Sequence, residues 1–581
     1  MERSLLNWRS RALLGLVATS LLTACTENKG TAGAGAVTDV KASAVALVND
    51  AVGPAAPVAG AKPGGTITLL MVADFEHLDP AQNYVNTQQI VSELFSRTLT
   101  VFRDHPDGTF DLVGDLATNT GVTTDGGLTW TFTLRDGLKY EDGSPITSQD
   151  VAYGIARSFS PDLPFGAHYI QQWLADDLDY NKVYQGPYNG GAPVPPGVET
   201  PDDKTIVFHF KRPRPDLPFA ASLAMTAPVP KAKDTRGEYD NRPFASGPYK
   251  VATYQRGQRL VLVKNDQWDP ATDPMRHQYP DTIQFGFGAS NIQINERIIA
   301  SEGADAATLT WMIVPPEVLP KVLGDSAVLG RVVTGFTQYT RYMAINTQRV
   351  PDLAVRQALN YAIDRANFIK VYSPVAADPA TTILSPTTLG YQKYNAYDAG
   401  PNGNPEKAKE LLGGKTVPLL FAYVNTPRYQ KVAVFVQENL KKAGFDVTIQ
   451  PVDPDLYYSN VGRKDNPFDI YLWGWGFDWP SGVTIIPPTF DGRTIQPSGN
   501  QNSSFLDAPD VNAQIDSISV MTDLAAAGTR WAALDRYIME THAPIVPITY
   551  EKSFSLVGTR VGGAFLSSSF GVTAMNDLFV K

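Results

Sequence analysis

The chain has 581 residues, of which 43% are hydrophobic and 19% charged, so it can bury a large core and form two or three domains or lobes. Lysine and arginine number 49 against 59 aspartate and glutamate residues, which gives a formal net charge of −10. Because nucleic-acid binding requires clustered cations and this sequence has no such cluster, the composition argues against a nucleic-acid-binding protein.

The first 25 residues have the pattern of an export signal. Three arginines precede a short apolar run, residues 12–22, which has the length of a signal-peptide core and is too short to span a bilayer comfortably. The run leads into Leu22-Thr23-Ala24-Cys25, which resembles the lipobox of bacterial lipoproteins, where cleavage before the cysteine is followed by its lipidation. We therefore expect residues 1–24 to be a signal peptide and Cys25 to anchor the protein to the outer face of the cell membrane. The alternative is an ordinary signal peptide with an unrelated cysteine.

Residues 25–63 are expected to form a lipidated cysteine followed by a flexible tether. Ala, Gly, Val, Thr and Pro dominate this stretch, and it shows no sustained hydrophobic period. Such a composition predicts a linker that holds a folded body away from the membrane.

The first half of the body contains clear strand and helix patterns. Apolar residues alternate with threonines over residues 128–134, and a second alternation covers residues 206–210, so both segments are predicted strands. Between them, Thr147 is a predicted helix N-cap and Asp150 its capping-box partner, with Val151 and later apolar residues on one face.

Helices and strands interleave in the second half. Apolar residues recur at three and four positions over residues 355–366, which predicts one continuous amphipathic helix. Asn404 and Pro405 predict the start of another helix. Residues 432–440 are a third helix pattern, and residues 445–449 alternate as a strand. This order predicts an α/β body with mixed sheets.

Five groups of motifs, taken together and in this order, resemble the family 5 extracellular solute-binding proteins, the oligopeptide- and dipeptide-binding components of bacterial ABC importers. The resemblance covers roughly residues 64–581. The motifs are residues 64–66 with 78–81, residues 133–153, residues 246–249 with 265–268, residues 342–346 with 355–365, and residues 404–408.

This resemblance implies a two-lobed type II periplasmic-binding-protein-like fold with mixed sheets and an extra subdomain on the first lobe. By analogy, lobe I would take residues 64–90, 205–335 and 546–581, and lobe II residues 336–545. The extra subdomain would take residues 91–204. Residues 340–346 and 547–553 would be the hinge strands.

The resemblance also suggests ligand-binding residues. In peptide-binding relatives, a Trp-x-x-Asp motif supplies the carboxylate that holds the peptide α-ammonium, and Trp475 with Asp478 has that spacing. Trp473 and Trp479 lie in the same loop region, after a predicted strand from Phe468 to Leu472. On the other lobe, Asn83 and Tyr84 follow a Leu-Asp-Pro-Ala turn. The structural alternative is that Asp478 caps a local turn and the tryptophans fill the core.

The sequence contains no catalytic motif that we recognise: HExxH, GxSxG and a phosphate-binding loop are missing, and the six histidines lack metal-ligand spacing. We therefore expect a monomeric, non-enzymatic binding protein without cofactor or metal, with ABC permease and ATPase subunits as partners and a short peptide as ligand. Alternative ligands are an oligosaccharide, nickel or haem, and an alternative role is sensing of a peptide signal. A secreted hydrolase is the remote alternative.

Overall fold

The structure is a computed structural model that describes residues 45–581. The predicted signal peptide, the predicted lipidation site at Cys25 and the first half of the predicted tether lie outside the described residues. Within residues 45–581 no helix is both long and apolar enough to cross a membrane.

Helices and strands interleave along the described chain, as the sequence predicts. The strands are β1 (Ala46–Val48), β2 (Thr66–Leu70), β3 (Thr100–Asp104), β4 (Phe110–Gly114), β5 (Thr129–Thr133), β6 (Val198–Glu199), β7 (Thr205–His209), β8 (Tyr249–Gln255), β9 (Arg259–Lys264), β10 (Thr282–Gly286), β11 (Thr308–Leu309), β12 (Val332–Ile345), β13 (Ala377–Pro379), β14 (Val417–Val424), β15 (Phe445–Val452), β16 (Ile470–Trp475), β17 (Ile545–Leu556), β18 (Val561–Gly562) and β19 (Phe579–Val580). The α-helices are α1 (Asn86–Ser92), α2 (Ser148–Arg157), α3 (Tyr169–Ala175), α4 (Leu217–Ala220), α5 (Asn291–Ala300), α6 (Leu319–Gly324), α7 (Ser326–Leu329), α8 (Leu353–Ala362), α9 (Arg365–Tyr372), α10 (Pro405–Leu411), α11 (Pro427–Lys441), α12 (Tyr457–Val461), α13 (Ile486–Phe490), α14 (Pro509–Ser519) and α15 (Leu524–Thr541).

The first large sheet has five strands in the order β11-β2-β10-β9-β8. Strand β2 pairs in parallel with β10 and β11, whereas β8, β9 and β10 pair antiparallel, so the sheet is mixed. Alternate residues of these strands, such as Ile67, Leu69 and Phe285, are buried in a common core.

The second large sheet has six strands in the order β13-β17-β12-β16-β14-β15 and is also mixed. Its long strands β12 and β17 pair antiparallel along most of their length. Val333, near the start of β12, is buried in the core of the first sheet, while Tyr342 and Met343, near its end, are buried on the two sides of the second sheet. The β12–β17 pair therefore connects the two sheets.

A further core is built mainly from residues 99–225 around the sheet β5-β7-β6. The predicted strands in this region are confirmed as β5 and β7, which pair antiparallel with Trp130 opposite Phe208. One side chain from a distant part of the chain, Trp479, is buried in this core. The loop that follows β16 is thus packed against the first half of the chain.

The tether prediction is wrong for the residues after position 45. Strand β1 pairs in parallel with β4, and the side-chain oxygen of Asn49 accepts hydrogen bonds from the backbone and hydroxyl of Thr120 at 3.1 and 2.6 Å. Ala51 is buried beside Met275. The open edge of β4 supplies unpaired backbone groups, which a short apolar segment such as Ala46–Val48 can satisfy. The composition of the stretch concealed this local strand.

Capping residues decide where two of the predicted helices begin and end. Helix α2 has the predicted capping box: the Thr147 hydroxyl accepts from the Asp150 N–H at 3.4 Å, and the Asp150 carboxylate accepts from the Thr147 N–H at 2.9 Å. The predicted single helix over residues 355–366 is instead two helices, because α8 ends at Ala362. The Asp364 carboxylate then accepts a hydrogen bond from the Asn367 N–H at 2.9 Å and starts α9.

Candidate functional site

Four of the predicted site residues, Tyr84, Trp473, Trp475 and Asp478, line one cavity of about 570 Å³. This volume lies within the range of roughly 300–1,000 Å³ that is usual for small-molecule sites. The cavity is formed where the end of β16 faces β12 and the start of α1. Its lining residues are Tyr84, Val85, Asn86, Tyr339, Arg341, Tyr458, Ser459, Trp473, Gly474, Trp475, Gly476, Phe477, Asp478, Gly499, Asn500 and Gln501.

Asp478 provides a carboxylate at this cavity. The Tyr169 hydroxyl donates a 2.5 Å hydrogen bond to Asp478 Oδ2, and the backbone N–H of Asp478 donates to the Thr484 hydroxyl at 3.3 Å. Burial disfavours the charged carboxylate and raises its pKa to about 6, although hydrogen bonds from the Tyr169 and Tyr84 hydroxyls act in the opposite direction. At neutral pH the group is therefore mainly ionised and is poorly compensated by protein charges.

Two tryptophans of β16 contribute aromatic surface to the cavity. Trp475 is half-buried and its indole N–H donates to the Thr484 carbonyl at 2.8 Å, which fixes the ring. Trp473 is 6% exposed and contacts Tyr458 edge-on, with ring centroids 5.2 Å apart. Within residues 45–581 the indole N–H of Trp473 has no hydrogen-bond acceptor. The site therefore offers both apolar faces and an unused donor.

The other two predicted residues lie behind the cavity wall. Trp479 is fully buried, donates its indole N–H to Asp216 Oδ1 at 3.0 Å, and contacts Tyr169 with ring centroids 4.6 Å apart. Asn83 is buried, and its side-chain amide donates to the Gln88 carbonyl at 3.0 Å. Neither side chain lines the cavity in this conformation.

The structure adds Tyr339 and Arg341, which the sequence interpretation missed. In the register between β12 and β16, Arg341 lies opposite Gly474. A Cβ atom at Gly474 would lie 2.8 Å from Arg341 Cδ, and one at Gly476 would lie 2.8 Å from Tyr339 Cδ1. The two glycines of Trp473-Gly-Trp-Gly476 thus leave one face of the strand bare, and the two larger side chains from β12 occupy the space.

Arg341 is the basic residue of the cavity lining. Its Nε–H donates to Glu551 Oε1 at 2.7 Å, and the Tyr372 hydroxyl donates to the same oxygen at 2.9 Å. Burial disfavours the charged guanidinium, but the neighbouring Glu551 carboxylate is among the groups that outweigh this effect and raise the pKa of Arg341. The arginine stays charged at every physiological pH. A charged residue within the apolar run Tyr339–Ile345 was the sequence signal that could have identified it.

A second cavity of about 740 Å³ lies between residues 55–59, residues 102–106 and the C-terminal segment. It contains Glu93, whose pKa burial raises to about 8, and the Asn576 amide, which donates to Glu93 at 3.0 Å. None of the predicted site residues lines it. We therefore place the candidate site at the cavity that contains Asp478 and Arg341.

The mixed α/β fold and a cavity lined by aromatic and a few charged side chains suit a protein that binds a small solute. A family model supports this class: residues 111–496 match the "Middle" region of the bacterial extracellular solute-binding proteins, family 5. The chain belongs to this family, whose members bind solutes and are not enzymes.

The chain resembles several other proteins and solved structures over most of its length. It is 24% identical over 542 residues to the probable D,D-dipeptide-binding periplasmic protein of Escherichia coli. This alignment covers 90% of this chain and 96% of that protein. It is 27% identical over 449 residues to the periplasmic murein peptide-binding protein of the same organism. This alignment covers 72% of this chain and 76% of that protein. The solved structure of clavulanic acid biosynthesis oligopeptide binding protein 2 is 30% identical, covers 93% of this chain and 99% of that chain, and superposes with a TM-score of 0.82.

Proposed function

We propose that this protein captures short peptides in the Asp478 cavity and delivers them to an ABC-type importer. The observation that carries the proposal is the Asp478 carboxylate, which lines the cavity and whose charged form is disfavoured by burial. A peptide α-ammonium would supply a compensating positive charge. Charged hydrogen bonds of this kind contribute about 1.5–3 kcal/mol.

The rest of the lining suits a peptide of variable sequence. Trp473, Trp475 and Tyr458 offer apolar contact, while the exposed Gln501 offers an amide group for backbone pairing. The names of several relatives state peptide ligands, including D,D-dipeptides and murein peptides. These relatives support a peptide ligand for this chain as well.

The protein would act at the outer face of the cell membrane. We propose that lipid on Cys25 anchors a monomer there, and that Asn83 and Trp479 support the cavity from behind. The chain contains no phosphate-binding loop, so partner permease and ATPase subunits would drive uptake. Binding between two lobes that close on the ligand would couple capture to docking on the permease.

One second candidate has an observation in its favour. The aromatic faces of Trp473 and Trp475 could stack on sugar rings, so an oligosaccharide is the alternative ligand. An oligosaccharide, however, carries no ammonium to balance Asp478.

Native mass spectrometry of the protein purified under mild conditions tests the proposal. Dissociation of the complex should release a ladder of short peptides that can be sequenced. Release of a single sugar or a metal chelate would keep the family assignment and remove the peptide from the proposal.

A further inference from the structure

We propose that the cavity around Glu93 is a second binding site, which takes a small organic cation with its ammonium on Glu93 and Asn576 and its apolar part on the cavity wall. The volume of this Glu93 cavity, about 740 Å³, lies in the range of roughly 300–1,000 Å³ that is usual for small-molecule sites. The Glu93 cavity shares no lining residue with the Asp478 cavity, so the inference does not depend on a peptide ligand.

Two acceptor oxygens at the Glu93 cavity have no donor. The Asn576 amide donates to Glu93 Oε2 at 3.0 Å, and within residues 45–581 no group donates to Glu93 Oε1. The Oδ1 atom of Asn576 is buried and likewise has no donor in the part of the chain that the structure describes. Buried polar groups are normally satisfied, so a ligand with several N–H groups is the natural partner. An ammonium has three donors and no acceptor.

Glu93 also forms no salt bridge within residues 45–581. The charge of Arg276 acts on Glu93, but the terminal N–H groups of this arginine bind Asp115 and Asp273 at 2.8 to 3.1 Å. Burial therefore outweighs Arg276 and raises the pKa of Glu93 to about 8, and the neighbouring Asp104 carboxylate acts in the same direction. A bound cation would stabilise the ionised form of Glu93.

A second carboxylate, Asp104, adds negative charge to the same cavity. It accepts hydrogen bonds from the Ser567 and Ser569 hydroxyls at 2.8 and 2.6 Å, and both donors are neutral. Burial raises the pKa of Asp104 as well. Two carboxylates held mainly by neutral donors therefore favour a ligand that brings a positive charge.

The basic residues of the lining do not supply that charge. Arg103 and His105 both pair with Asp111, at 2.7 and 3.0 Å. His277 contacts another carboxylate at 2.8 Å. Lys581 lies at the chain end and is exposed to solvent. Within residues 45–581, no buried cation of the lining is thus free to pair with the cavity carboxylates.

Apolar side chains form much of the remaining wall. These residues are Ile90, Phe102, Met275, Phe565, Phe570 and Phe579. Aromatic rings attract a cation to their faces and also contact the apolar part of a ligand. Within residues 45–581 no group of three or more metal-ligating side chains could hold a metal ion. The wall therefore suits an organic cation, such as an amine with an apolar body.

Photoaffinity labelling tests the site in the full-length wild-type chain. The probe is a phenylalkylamine that carries a diazirine, its neutral control is the corresponding alcohol, and mass spectrometry maps the crosslinked residues. We expect the amine to label residues 102–106 and 563–579 at concentrations about ten- to a hundredfold below those that the alcohol requires, the factor that one charged hydrogen-bonded pair provides. Equal labelling by amine and alcohol, or no labelling of these residues, overturns the proposal.

Two variants then identify the residue that holds the ammonium. Glu93→Gln keeps the size of the side chain and an acceptor for the Asn576 amide, and it should lose the preference for the amine. The matched control is Glu141→Gln. The Glu141 side chain is only 7% exposed, but it pairs with Arg242 at 2.7 Å and lines neither cavity. This control should label like the wild type, whereas an unchanged amine preference in Glu93→Gln would overturn the role of Glu93.

Discussion

The Tyr169 hydroxyl donates a 2.5 Å hydrogen bond to the Asp478 carboxylate across 309 positions of the chain. Tyr169 begins α3, whereas Asp478 follows β16, so residues from both halves of the described chain determine the charge state of the proposed ammonium site. The bond uses Oδ2, and the Tyr84 hydroxyl also hydrogen-bonds to the carboxylate. An incoming ammonium would therefore join two hydroxyl donors at this carboxylate.

Peptide affinity should fall as the pH is lowered through about 6, the raised pKa of Asp478. The ammonium favours the ionised carboxylate, so protons compete with the ligand below that pKa. Between pH 7.5 and pH 5, the dissociation constant of a free-amine peptide should rise about tenfold, as measured by isothermal titration calorimetry. Tyr84 and Tyr169 do not titrate in this range, because burial and Asp478 raise their pKa values well above 10.

Replacing Asp478 by asparagine should weaken the binding of free-amine peptides by a hundredfold or more. The variant removes the charge that pairs with the ammonium, and losing one partner of a buried pair costs about 3–5 kcal/mol. It should also remove the pH dependence. Fluorescence or calorimetric titration measures the change.

Asp216 provides a matched control for this variant. It is also a buried aspartate whose pKa burial raises to about 6, but its carboxylate accepts from Trp479 away from the cavity. Asp216→Asn should leave peptide affinity unchanged. If the Asp478 and Asp216 variants bind alike, Asp478 is not the ammonium site.

The sequence predicted the fold class and four residues that the structure brings to one cavity, but not Arg341 or the strand register that places it there. Capping and periodicity identified α2, β5 and β7 because these signals are local. Arg341 and Gly474 are 133 positions apart, and only the strand register between β12 and β16 brings them together. In the same way, Trp473 and Trp479 have equivalent sequence signals, yet Trp473 lines the cavity from β16 itself. The loop after β16 instead buries Trp479 in the core around residues 99–225.

Trp479→Phe should reduce stability and leave peptide affinity nearly unchanged. The substitution removes the 3.0 Å hydrogen bond to Asp216, a buried carboxylate, and part of the packing against Tyr169. Stranding a buried polar group costs about 1–3 kcal/mol, and more for a charged one. The denaturant midpoint should therefore fall.

The corresponding Trp475→Phe variant should instead lower affinity, since Trp475 lines the cavity. Reversed results for the two variants would exchange their roles.

Gly474→Ala should weaken peptide binding although it adds only a methyl group at the strand. Its Cβ would lie 2.8 Å from Arg341 Cδ, so the arginine must move out of its fixed position. Because Arg341 lines the cavity, its displacement changes the wall that a bound peptide would contact. Gly237→Ala is the control, because a Cβ at Gly237 meets no atom within 4 Å. Equal losses of affinity in the two variants would contradict a specific effect on Arg341.

The buried pair between Asp79 and Arg157 should dominate the stability of the first half of the chain. Two parallel 2.8 Å hydrogen bonds join the side chains, both of which are fully buried. The bonds tie the Leu-Asp-Pro-Ala turn beside the cavity to α2. Arg157→Met leaves the Asp79 carboxylate buried without its cationic partner, and it also removes the cation 3.1 Å from the buried Asp234. We therefore expect the unfolding free energy to fall by at least about 3–5 kcal/mol. Guanidinium denaturation followed by tryptophan fluorescence measures this change.

An exposed pair calibrates that result. Arg463 and Asp465 also form a two-bond pair, at 2.9 and 2.7 Å, but both side chains are mostly in solvent. Arg463→Met should shift the denaturation midpoint little, because water replaces the lost partner. Equal shifts for Arg157→Met and Arg463→Met would show that burial does not decide the strength of the Asp79 pair. A large shift for Arg157→Met alone would identify the turn beside the cavity as a rigid part of the proposed site.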